Sequence, residues 1–571
     1  MMRKLVATLG TCALVVGAPM LHAQDFITDE DVLIKTPQGV TLSAFVARPR
    51  DESRKLPAAL QFTIYADRSA MSKALDAARR GYVGVIGFTR GKWTSPNDVV
   101  PYERDGDDAR AVIDWISRQS WSDGRVGMYG GSYNGFTQWA AVKRLHPALK
   151  TIVPYCPNDP GFGLPMNNNV FLTANYAWAF YATNNKELDN ATYSDAERWR
   201  NLPWNWYRSG RPYSEIDQVD GTPNPWLQRW LKHPAYDEYW QSMAVYGREY
   251  AALDIPVLAI DGYYDDGHTN AVRRLQDHYR HRPSAEHYLV IGPYDHRGTQ
   301  AATKPAVLRG YSIDPVAQLD TLDLTFDWFD YIFKSGTKPE LLKDRINYQV
   351  MGANVWRHAP SIEKMSESVL TLYLDSAKDG AFHRLAKVKP AVRGSLQSVV
   401  DFADRATISA NSYPGEIVTA DLGLEQGLAF VSEPFDRPVS VNGLFSATLR
   451  LLVNRKDLDL AVVLYEVMPD GKYFHLSDTL QRASYARDMT RRTLLTPNRV
   501  ETIRLDKTLL ISRQLSKGSR LLVVVDVNRG PFAQVNYGTG KDVSDESIAD
   551  AKEPLRVEWF NDSYVEIPVS Q

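Results

Sequence analysis

The sequence predicts a doubly wound α/β core of mainly parallel strands, interrupted by a helical cap and followed by a β-sandwich of jelly-roll type. In the first part of the chain, short apolar runs alternate with segments of helical periodicity. Between residues 157 and 246 strand-like runs are missing, and seven of the 14 tryptophans fall in this segment. Beyond about residue 345 the apolar runs are broken by Gly, Pro, Asn and Asp, as is typical of sandwiches.

The expected domains follow from these changes of pattern. We expect the core to comprise residues 24–159 and 246–345, the cap residues 160–245, and the jelly roll residues 346–571. An alternating hairpin is expected at 31–35 and 41–47. Buried strands and helices of the core are expected at 56–64, 69–80, 82–88, 105–118, 151–155, 255–260, 287–291 and 323–334. Sandwich strands are expected at 370–374, 444–453, 460–467, 500–505, 520–527 and 555–567.

Composition narrows the class of protein. With 571 residues and 44% hydrophobic side chains, the chain is long enough for several packed domains. A net charge of −2 gives no reason to expect nucleic acid or an anionic membrane as a partner. Its composition is compatible with a homo-oligomer as well as with a monomer.

The first 23 residues have the pattern of a secretory signal. Arg3 and Lys4 precede an apolar run that ends before Leu21-His22-Ala23, where cleavage is expected. The run is too short to span a bilayer, so we expect a periplasmic or secreted protein that is free of the membrane after cleavage. The remaining chain has Cys156 as its only cysteine and so forms no internal disulfide.

Glycines surround Ser132 in a stretch that reads as a strand, a tight turn and then a helix starting near Phe136. Such a turn raises a hydroxyl above the edge of a sheet and leaves the backbone N–H of Tyr133 facing the same space. That N–H can stabilise an oxyanion, so adjacent residues would supply a nucleophile and an electrostatic stabiliser. The sequence therefore predicts a nucleophilic serine.

A serine hydroxyl needs a base, and the base needs an orienting carboxylate. In α/β-hydrolases these groups follow the serine in the order acid, then histidine. Two loops after predicted strands offer them, and carboxyl ends of strands are where catalytic groups collect. We predict His296 as the base and Asp265 as the acid, with Asp261 and Asp266 as rivals.

The substrate pocket is the least determined part of the prediction. Because ligand sites are concave and rich in aromatic residues, Trp178, Trp204 and Trp206 of the cap are candidates for its walls. His268 is a further candidate. It lies near three aspartates, but no second ligand cluster with zinc-like spacing accompanies it, so neither a metal nor another cofactor is expected.

The sequence contains the three short motifs Gly130-Gly131-Ser132-Tyr133-Asn134-Gly135, Gly262-Tyr263-Tyr264-Asp265 and Gly292-Pro293-Tyr294-Asp295-His296. They resemble the catalytic motifs of the CocE/NonD hydrolases, in the X-Pro dipeptidyl-peptidase class S15. The resemblance extends over nearly the whole chain. It implies an α/β-hydrolase core with a helical cap and a jelly roll, a triad of Ser132, Asp265 and His296, and Tyr65 as a second oxyanion donor beside Tyr133.

One departure from the family concerns amine recognition. The resemblance to amino-ester hydrolases of the family would imply an ammonium site, which those enzymes build from carboxylates after the catalytic Asp and early in the cap. This chain has Gly267 and His268 at the first place and Asn167, Asn168 and Asn169 at the second. The sequence therefore does not predict an ammonium clamp.

The sequence thus predicts an exported serine hydrolase that cleaves small-molecule carboxylic esters or amides, or peptides, through an acyl-enzyme. The first alternative is an X-Pro-type dipeptidyl-peptidase or aminoacyl ester hydrolase acting on substrates with a free amino terminus. A more distant alternative is a non-catalytic protein that binds ligands through its jelly roll.

Overall fold

The computed structural model of the protein describes residues 25–51, 53–265, 268–409, 415–424 and 427–570, leaving aside the side chains of residues 268 and 269. The predicted signal segment lies outside these residues. Within the described ranges, none of the helices is both long and apolar enough to cross a membrane.

The first part of the core alternates strands and helices. Strands β3 and β4 consist almost wholly of buried side chains, as expected for a sheet that helices cover on both faces. The elements are β1 (Phe26–Lys35), β2 (Thr41–Pro49), β3 (Leu56–Thr63), α1 (Met71–Arg79), β4 (Val83–Phe88), α2 (Asp105–Ser117), β5 (Ser122–Ser132), α3 (Tyr133–Lys143) and β6 (Leu149–Pro157).

The cap that follows is helical, with one short hairpin at its start. Its core contains the buried rings of Trp230 and Trp240. The cap is tied to the α/β core by Lys92, whose ammonium group donates to the backbone oxygens of Ala182, Asn185 and Glu187. The elements are β7 (Met166–Asn167), β8 (Val170–Phe171), α4 (Ala174–Thr183), α5 (Asn190–Tyr193), α6 (Ala196–Ser209), α7 (Ile216–Asp220), α8 (Pro225–Trp230) and α9 (Glu238–Gln241).

The second part of the core completes the sheet. Its elements are β9 (Val257–Tyr264), α10 (His268–His281), β10 (His287–Asp295), α11 (His296–Gln300), β11 (Val307–Leu308), β12 (Tyr311–Ser312), α12 (Thr321–Phe333), β13 (Ile346–Val350) and β14 (Val355–Ala359). The strand order is β1-β2-β4-β3-β5-β6-β9-β10-β13-β14. From β4 to β13 neighbouring strands are parallel, which confirms the predicted doubly wound sheet.

Two features of the sheet matter for the site. The carboxyl ends of β3, β5, β9 and β10 lie at one edge, so residues far apart in sequence meet there. The sheet also includes β13 and β14, although the sequence interpretation placed residues from 346 onward in the jelly roll. The fully buried strand β13 pairs in parallel with β10, and a turn with Gly352 and Asn354 in the left-handed region returns the chain as β14 at the edge.

The C-terminal part is a mainly antiparallel β-sandwich, as predicted, with one parallel pair between β16 and β19. Its apolar strands pack against one another around a core that includes Leu449, Val462 and Val523. The elements are β15 (Ser368–Asp379), β16 (Phe382–Ala386), β17 (Ser395–Val400), β18 (Val418–Thr419), β19 (Leu428–Val431), β20 (Val439–Gly443), β21 (Ser446–Val453), β22 (Asp459–Val467), β23 (Tyr473–Arg482), β24 (Val500–Leu505), β25 (Ile511–Leu515), β26 (Arg520–Val527), α13 (Ile548–Ala551), β27 (Leu555–Phe560) and β28 (Tyr564–Ser570).

Candidate active site

Ser132 occupies a strained turn between β5 and α3. Its φ of 60° and ψ of −122° are costly for a residue with a side chain and are typical of an exposed nucleophile. The neighbours must be small, because a Cβ on Gly131 would lie 2.4 Å from the Gln300 side chain and one on Gly135 2.8 Å from Pro157. Helix α3 begins at Tyr133 rather than near Phe136, since Ser132 itself is the N-cap residue.

Tyr133 places a backbone donor beside this serine. As the first residue of α3, its N–H has no intrahelical partner and can serve an oxyanion. Its buried side chain is fixed at the other end. The hydroxyl donates to Asp105 Oδ2 at 2.6 Å and accepts from the backbone N–H of Tyr102 at 2.8 Å. Burial raises the pKa of Asp105 to about 8, with the Tyr133 hydrogen bond opposing that rise.

Tyr65 approaches the serine from the carboxyl end of β3. Its hydroxyl oxygen lies 3.4 Å from Ser132 Oγ and accepts a hydrogen bond from Trp178 Nε1 at 3.1 Å. With the indole as donor, the phenolic proton of Tyr65 remains available for an oxygen near Ser132. Burial raises the pKa of Tyr65 above its usual value, so the phenol is neutral near pH 7. The predicted donor and one predicted cap tryptophan therefore lie at the serine.

His296 and Asp265 meet at the same edge of the sheet. His296 begins α11 directly after β10, and Asp265 follows β9. The Nδ1 of His296 lies 3.0 Å from Asp265 Oδ1, and the Asp265 side chain is buried while the imidazole is about one-third exposed. Burial alone would lower the pKa of His296, but the Asp265 carboxylate outweighs it and holds the pKa well above its usual value. This is the arrangement that orients an imidazole and stabilises its protonated form.

The rival acids are placed differently or lie outside the described residues. Asp261 is fully buried within β9, where its Oδ1 accepts from the backbone N–H of Gly262 at 2.9 Å. Asp266 is not among the described residues. The ion pair that the structure gives His296 is with Asp265.

A cavity of about 650 Å³ brings the predicted residues together. Its walls include Ser132, Tyr65, Tyr133, Trp178 and His296. It is large enough for a small ester or the end of a peptide and combines aromatic surface with a few polar groups, as ligand sites do.

A second cavity of about 340 Å³ adjoins the first, because Leu164 and Ala174 line both. Asp265 lies on its wall. Apolar side chains from the cap and the jelly roll make up much of the remaining surface, among them Leu172, Trp199, Leu202, Leu480, Leu509 and Phe532. A polar cavity at Ser132 and a more apolar cavity therefore lie side by side.

The other residues predicted for the pocket do not line these cavities. Trp206 is part of the cap's own core, since its ring is buried and its Nε1 donates to the backbone oxygens of Arg211 and Pro212. Trp204 packs beside Phe532, with its ring under the Arg208 guanidinium. Both are corrections to the sequence interpretation. The side chain of His268 is not among those that the structure describes.

The asparagines at the expected ammonium site have structural partners. Asn168 donates to the backbone oxygen of Leu480 at 2.8 Å, and Asn169 donates to those of Pro234 and Met489 at 2.9 and 3.0 Å. Both are buried, so they hold the cap to the jelly roll. Asn167 lines the apolar cavity but brings no charge.

Sequence reasoning missed Asp105, Tyr102 and the location of Cys156. Asp105 opens a helix, a position that acids often take, and nothing in the sequence shows that it reaches Tyr133. Tyr102 stacks on Trp178, the hydrogen-bond partner of Tyr65, with ring centroids 5.4 Å apart, and its backbone N–H donates to the Tyr133 hydroxyl. Cys156 lines the larger cavity at the end of β6.

Comparison with known families assigns both parts of the chain. Residues 38–298 match the X-Pro dipeptidyl-peptidase (S15) family, and residues 342–558 match the X-Pro dipeptidyl-peptidase C-terminal non-catalytic domain. The cocaine esterase of Rhodococcus sp. (strain MB1 Bresler) is 26% identical over 551 residues, which cover 91% of this chain and 94% of that protein.

Solved structures share the whole fold. An aminopeptidase from a marine sediment Thaumarchaeota archaeon superposes with a TM-score of 0.79 at 19% identity, covering 98% of this chain and 99% of the other. An α-amino acid ester hydrolase gives a TM-score of 0.75 at 21% identity with the same coverage. At these identities the likeness concerns the fold and leaves substrate choice to the site itself.

Proposed function

Because the chain belongs to the CocE/NonD serine hydrolases of the X-Pro dipeptidyl-peptidase S15 class, we propose that it cleaves carboxylic esters or amides through an acyl-enzyme on Ser132. The observation that carries the assignment is the meeting of four strand ends. They bring His296, whose Nδ1 lies 3.0 Å from Asp265 Oδ1, and the Tyr65 hydroxyl, 3.4 Å from Ser132 Oγ, to one cavity.

The reaction follows from the roles of these groups. His296 takes the Ser132 proton as the hydroxyl oxygen attacks the substrate carbonyl, and Asp265 stabilises the imidazolium that forms. The Tyr65 hydroxyl and the Tyr133 N–H donate to the oxyanion of the tetrahedral intermediate. His296 then protonates the leaving group, and a water molecule that it deprotonates releases the acid from Ser132. None of these steps requires a cofactor.

The adjoining apolar cavity supports an apolar or aromatic acyl group. Its lining by Leu172, Leu202 and Phe532 stabilises a hydrocarbon group by removing it from water, at about 25 cal/mol per Å² buried. The cap also carries the acids Glu187, Asp189 and Glu197, which are candidates for an ammonium clamp at a new place, but none of the three lines either cavity.

Hydrolysis of p-nitrophenyl esters tests the proposal. We expect turnover by the wild-type protein and a loss of about 10⁴-fold or more in Ser132→Ala and His296→Ala, because triad members act as a unit. Both variants should keep the wild-type circular dichroism spectrum. Activity within tenfold of wild type in either variant would overturn the assignment.

A substrate with a free amino terminus is the alternative, since an aminopeptidase and an amino ester hydrolase share the fold. A bound ammonium in a dry pocket needs a fixed anion, because leaving it unpaired costs several kcal/mol. Among the described residues, the larger cavity offers Asp67, which accepts from the Ser69 N–H. The smaller offers Asp265, which is paired with His296, and Asp478, on a wall that also carries Lys507.

The discriminating substrates are phenylglycine methyl ester and phenylacetic acid methyl ester, which differ only in the α-amino group. We expect kcat/KM values that agree within about tenfold. A preference for the amino ester above about 100-fold, equal to roughly 2.7 kcal/mol, would establish an ammonium site.

Export belongs to the same proposal. The basic start and apolar run of the first 23 residues support a cleaved secretory signal, with Gln24 as the first residue of the mature protein. Mass spectrometry of protein from a secreting host tests this, and an intact Met1 on periplasmic or culture-fluid protein would contradict it.

A further inference from the structure

A buried thiol lies beside the proposed base. Cys156 is the penultimate residue of β6, the strand that lies between β5, which ends at Ser132, and β9, which Asp265 follows. Its Sγ lies 3.8 Å from the backbone oxygen of His296. The structure brings together three possible metal ligands, one atom each from Cys156, Asp265 and His296, within 4.8 Å of one another. In the described part of the chain, no other group of three or more Cys, His, Asp or Glu side chains is arranged in this way.

We propose that Cys156, His296 and Asp265 form a site for a soft divalent cation such as Zn²⁺, and that this cation inhibits the enzyme. The three residues supply the sulfur, nitrogen and oxygen ligands that zinc takes in proteins. Bond lengths of about 2.0 to 2.3 Å place tetrahedral ligand atoms about 3.3 to 3.7 Å apart, so side-chain adjustments of about 1 Å close the site. The fourth position faces the substrate cavity, because Cys156 and His296 both line it.

The chemistry selects this class of ion. A thiolate and an imidazole favour zinc and related metals over Mg²⁺ and Ca²⁺, which prefer oxygen ligands. Binding replaces the proton on the Cys156 sulfur with the metal and releases that proton to solvent, with no change of oxidation state. Burial raises the pKa of the Cys156 thiol to about 12, so without a metal the sulfur is protonated and adds no charge to the site.

Inhibition follows whichever nitrogen of His296 binds the ion, provided that the proposed function holds. A metal on Nε2 occupies the lone pair that would accept the Ser132 proton. A metal on Nδ1, which lies 3.0 Å from Asp265 Oδ1, replaces the proton on that nitrogen and removes the orienting hydrogen bond. In either case the imidazole no longer cycles between its neutral and charged forms, on which proton transfer depends.

Inhibition kinetics give the first test. Hydrolysis of p-nitrophenyl acetate is measured with ZnCl₂ or MgCl₂, and each protein is compared with its own metal-free rate. We expect inhibition by Zn²⁺ that EDTA reverses, no inhibition by Mg²⁺, and a half-inhibitory Zn²⁺ concentration at least about tenfold higher in Cys156→Ser, equal to about 1.4 kcal/mol. Equal zinc sensitivity of Cys156→Ser and wild type would overturn the proposal.

A surface pair provides the matched control. His233 Nδ1 lies 2.7 Å from Asp237 Oδ2 on the cap, where it could bind zinc without affecting Ser132. His233→Gln should therefore keep the zinc sensitivity of wild type. If His233→Gln abolishes the inhibition, the ion acts at the surface and the site at Cys156 is wrong.

Cobalt absorption tests the site without relying on hydrolysis. Co²⁺ replaces Zn²⁺ in such sites, and a thiolate ligand gives it a near-ultraviolet charge-transfer band. We expect this band in Ser132→Ala and its loss in Ser132→Ala with Cys156→Ser, or with Cys156→Ala where the serine variant does not fold. A band that survives loss of Cys156, or its absence from Ser132→Ala, would contradict the site, whereas a failed esterase assay alone would count only against the proposed function.

Discussion

Tyr65 is a donor that can be removed with the loss of a single oxygen atom. Its hydroxyl lies 3.4 Å from Ser132 Oγ and is oriented by the Trp178 indole. Tyr65→Phe should lower kcat by roughly 10²-fold, with a smaller effect on KM, because the donor acts on the oxyanion of the transition state. Steady-state kinetics measure the split, and an effect confined to KM would make Tyr65 a binding residue instead.

Asp265 and Asp261 offer a matched comparison, since both are buried acids of the same strand and loop. Asp265→Asn should reduce kcat by about 10⁴-fold, because the amide no longer stabilises the His296 imidazolium. Asp261→Asn keeps an oxygen for the Gly262 N–H and should stay within about tenfold of wild type. If Asp261→Asn is the more damaged of the two in kcat/KM, the acid has been misassigned.

Helices α2 and α3 meet where Asp105 accepts from the Tyr133 hydroxyl at 2.6 Å. Because the Tyr133 N–H is the proposed oxyanion donor, this bond positions the donor. Asp105→Ala should lower kcat by about tenfold, or about 1.4 kcal/mol, with little change in KM, whereas Asp105→Asn retains an acceptor and should recover most of the loss.

The control for Asp105 lies two residues further along the same helix. Asp107 forms an ion pair with Arg144 at the surface, so Asp107→Ala should leave kcat unchanged. Equal effects of Asp105→Ala and Asp107→Ala, or a loss in Asp105→Ala that Asp105→Asn does not recover, would reduce Asp105 to a structural residue.

The histidines His278 and His287 join α10 to β10, and we expect them to make the stability of the fold depend on pH. His278 Nε2 donates to the Leu253 carbonyl at 3.0 Å, so its Nδ1 is an acceptor for His287 Nδ1 at 3.2 Å. Burial, aided by nearby Arg282 for His278 and by His278 and Arg274 for His287, lowers the pKa of each histidine below its usual value.

The sign of the pH effect follows from that lowering. Below pH 6.5 the two histidines bind protons in the unfolded chain before they do so in the folded protein. Their contribution to stability is therefore complete above pH 6.5 and is lost as the pH is lowered. Urea unfolding midpoints at pH 7.5 and 5.5 measure the loss. His287→Gln should reduce the difference between the two midpoints, and an unchanged difference would mean that other groups cause it.

The sequence predicted the parts of the site that local patterns specify. The turn at Ser132 depends on adjacent glycines, and the loops carrying Asp265 and His296 follow recognisable buried strands. Contacts between distant segments leave no such pattern. The hydrogen bond from Trp178 to Tyr65 joins the cap to the core across 113 positions, and only the folded chain brings the two together.

The cap shows a second limit of prediction from sequence, which concerns the role of each tryptophan ring. Its tryptophans Trp178, Trp204 and Trp206 are expected to line the pocket, yet of these three Trp178 alone lines the cavity at Ser132, while Trp206 is buried in the cap's own core. Composition indicates an aromatic layer but does not assign each ring to a cavity or to packing, because both uses bury the same apolar surface.

Covalent labelling with a fluorophosphonate, followed by peptide mass spectrometry, tests the account of Ser132 most directly, because it needs no knowledge of the natural substrate. We expect one adduct per chain, located on Ser132, with labelling slowed by at least about 10³-fold in His296→Ala and absent from Ser132→Ala. Labelling at another residue, or a wild-type protein that remains unlabelled under conditions that label other serine hydrolases, would contradict the account.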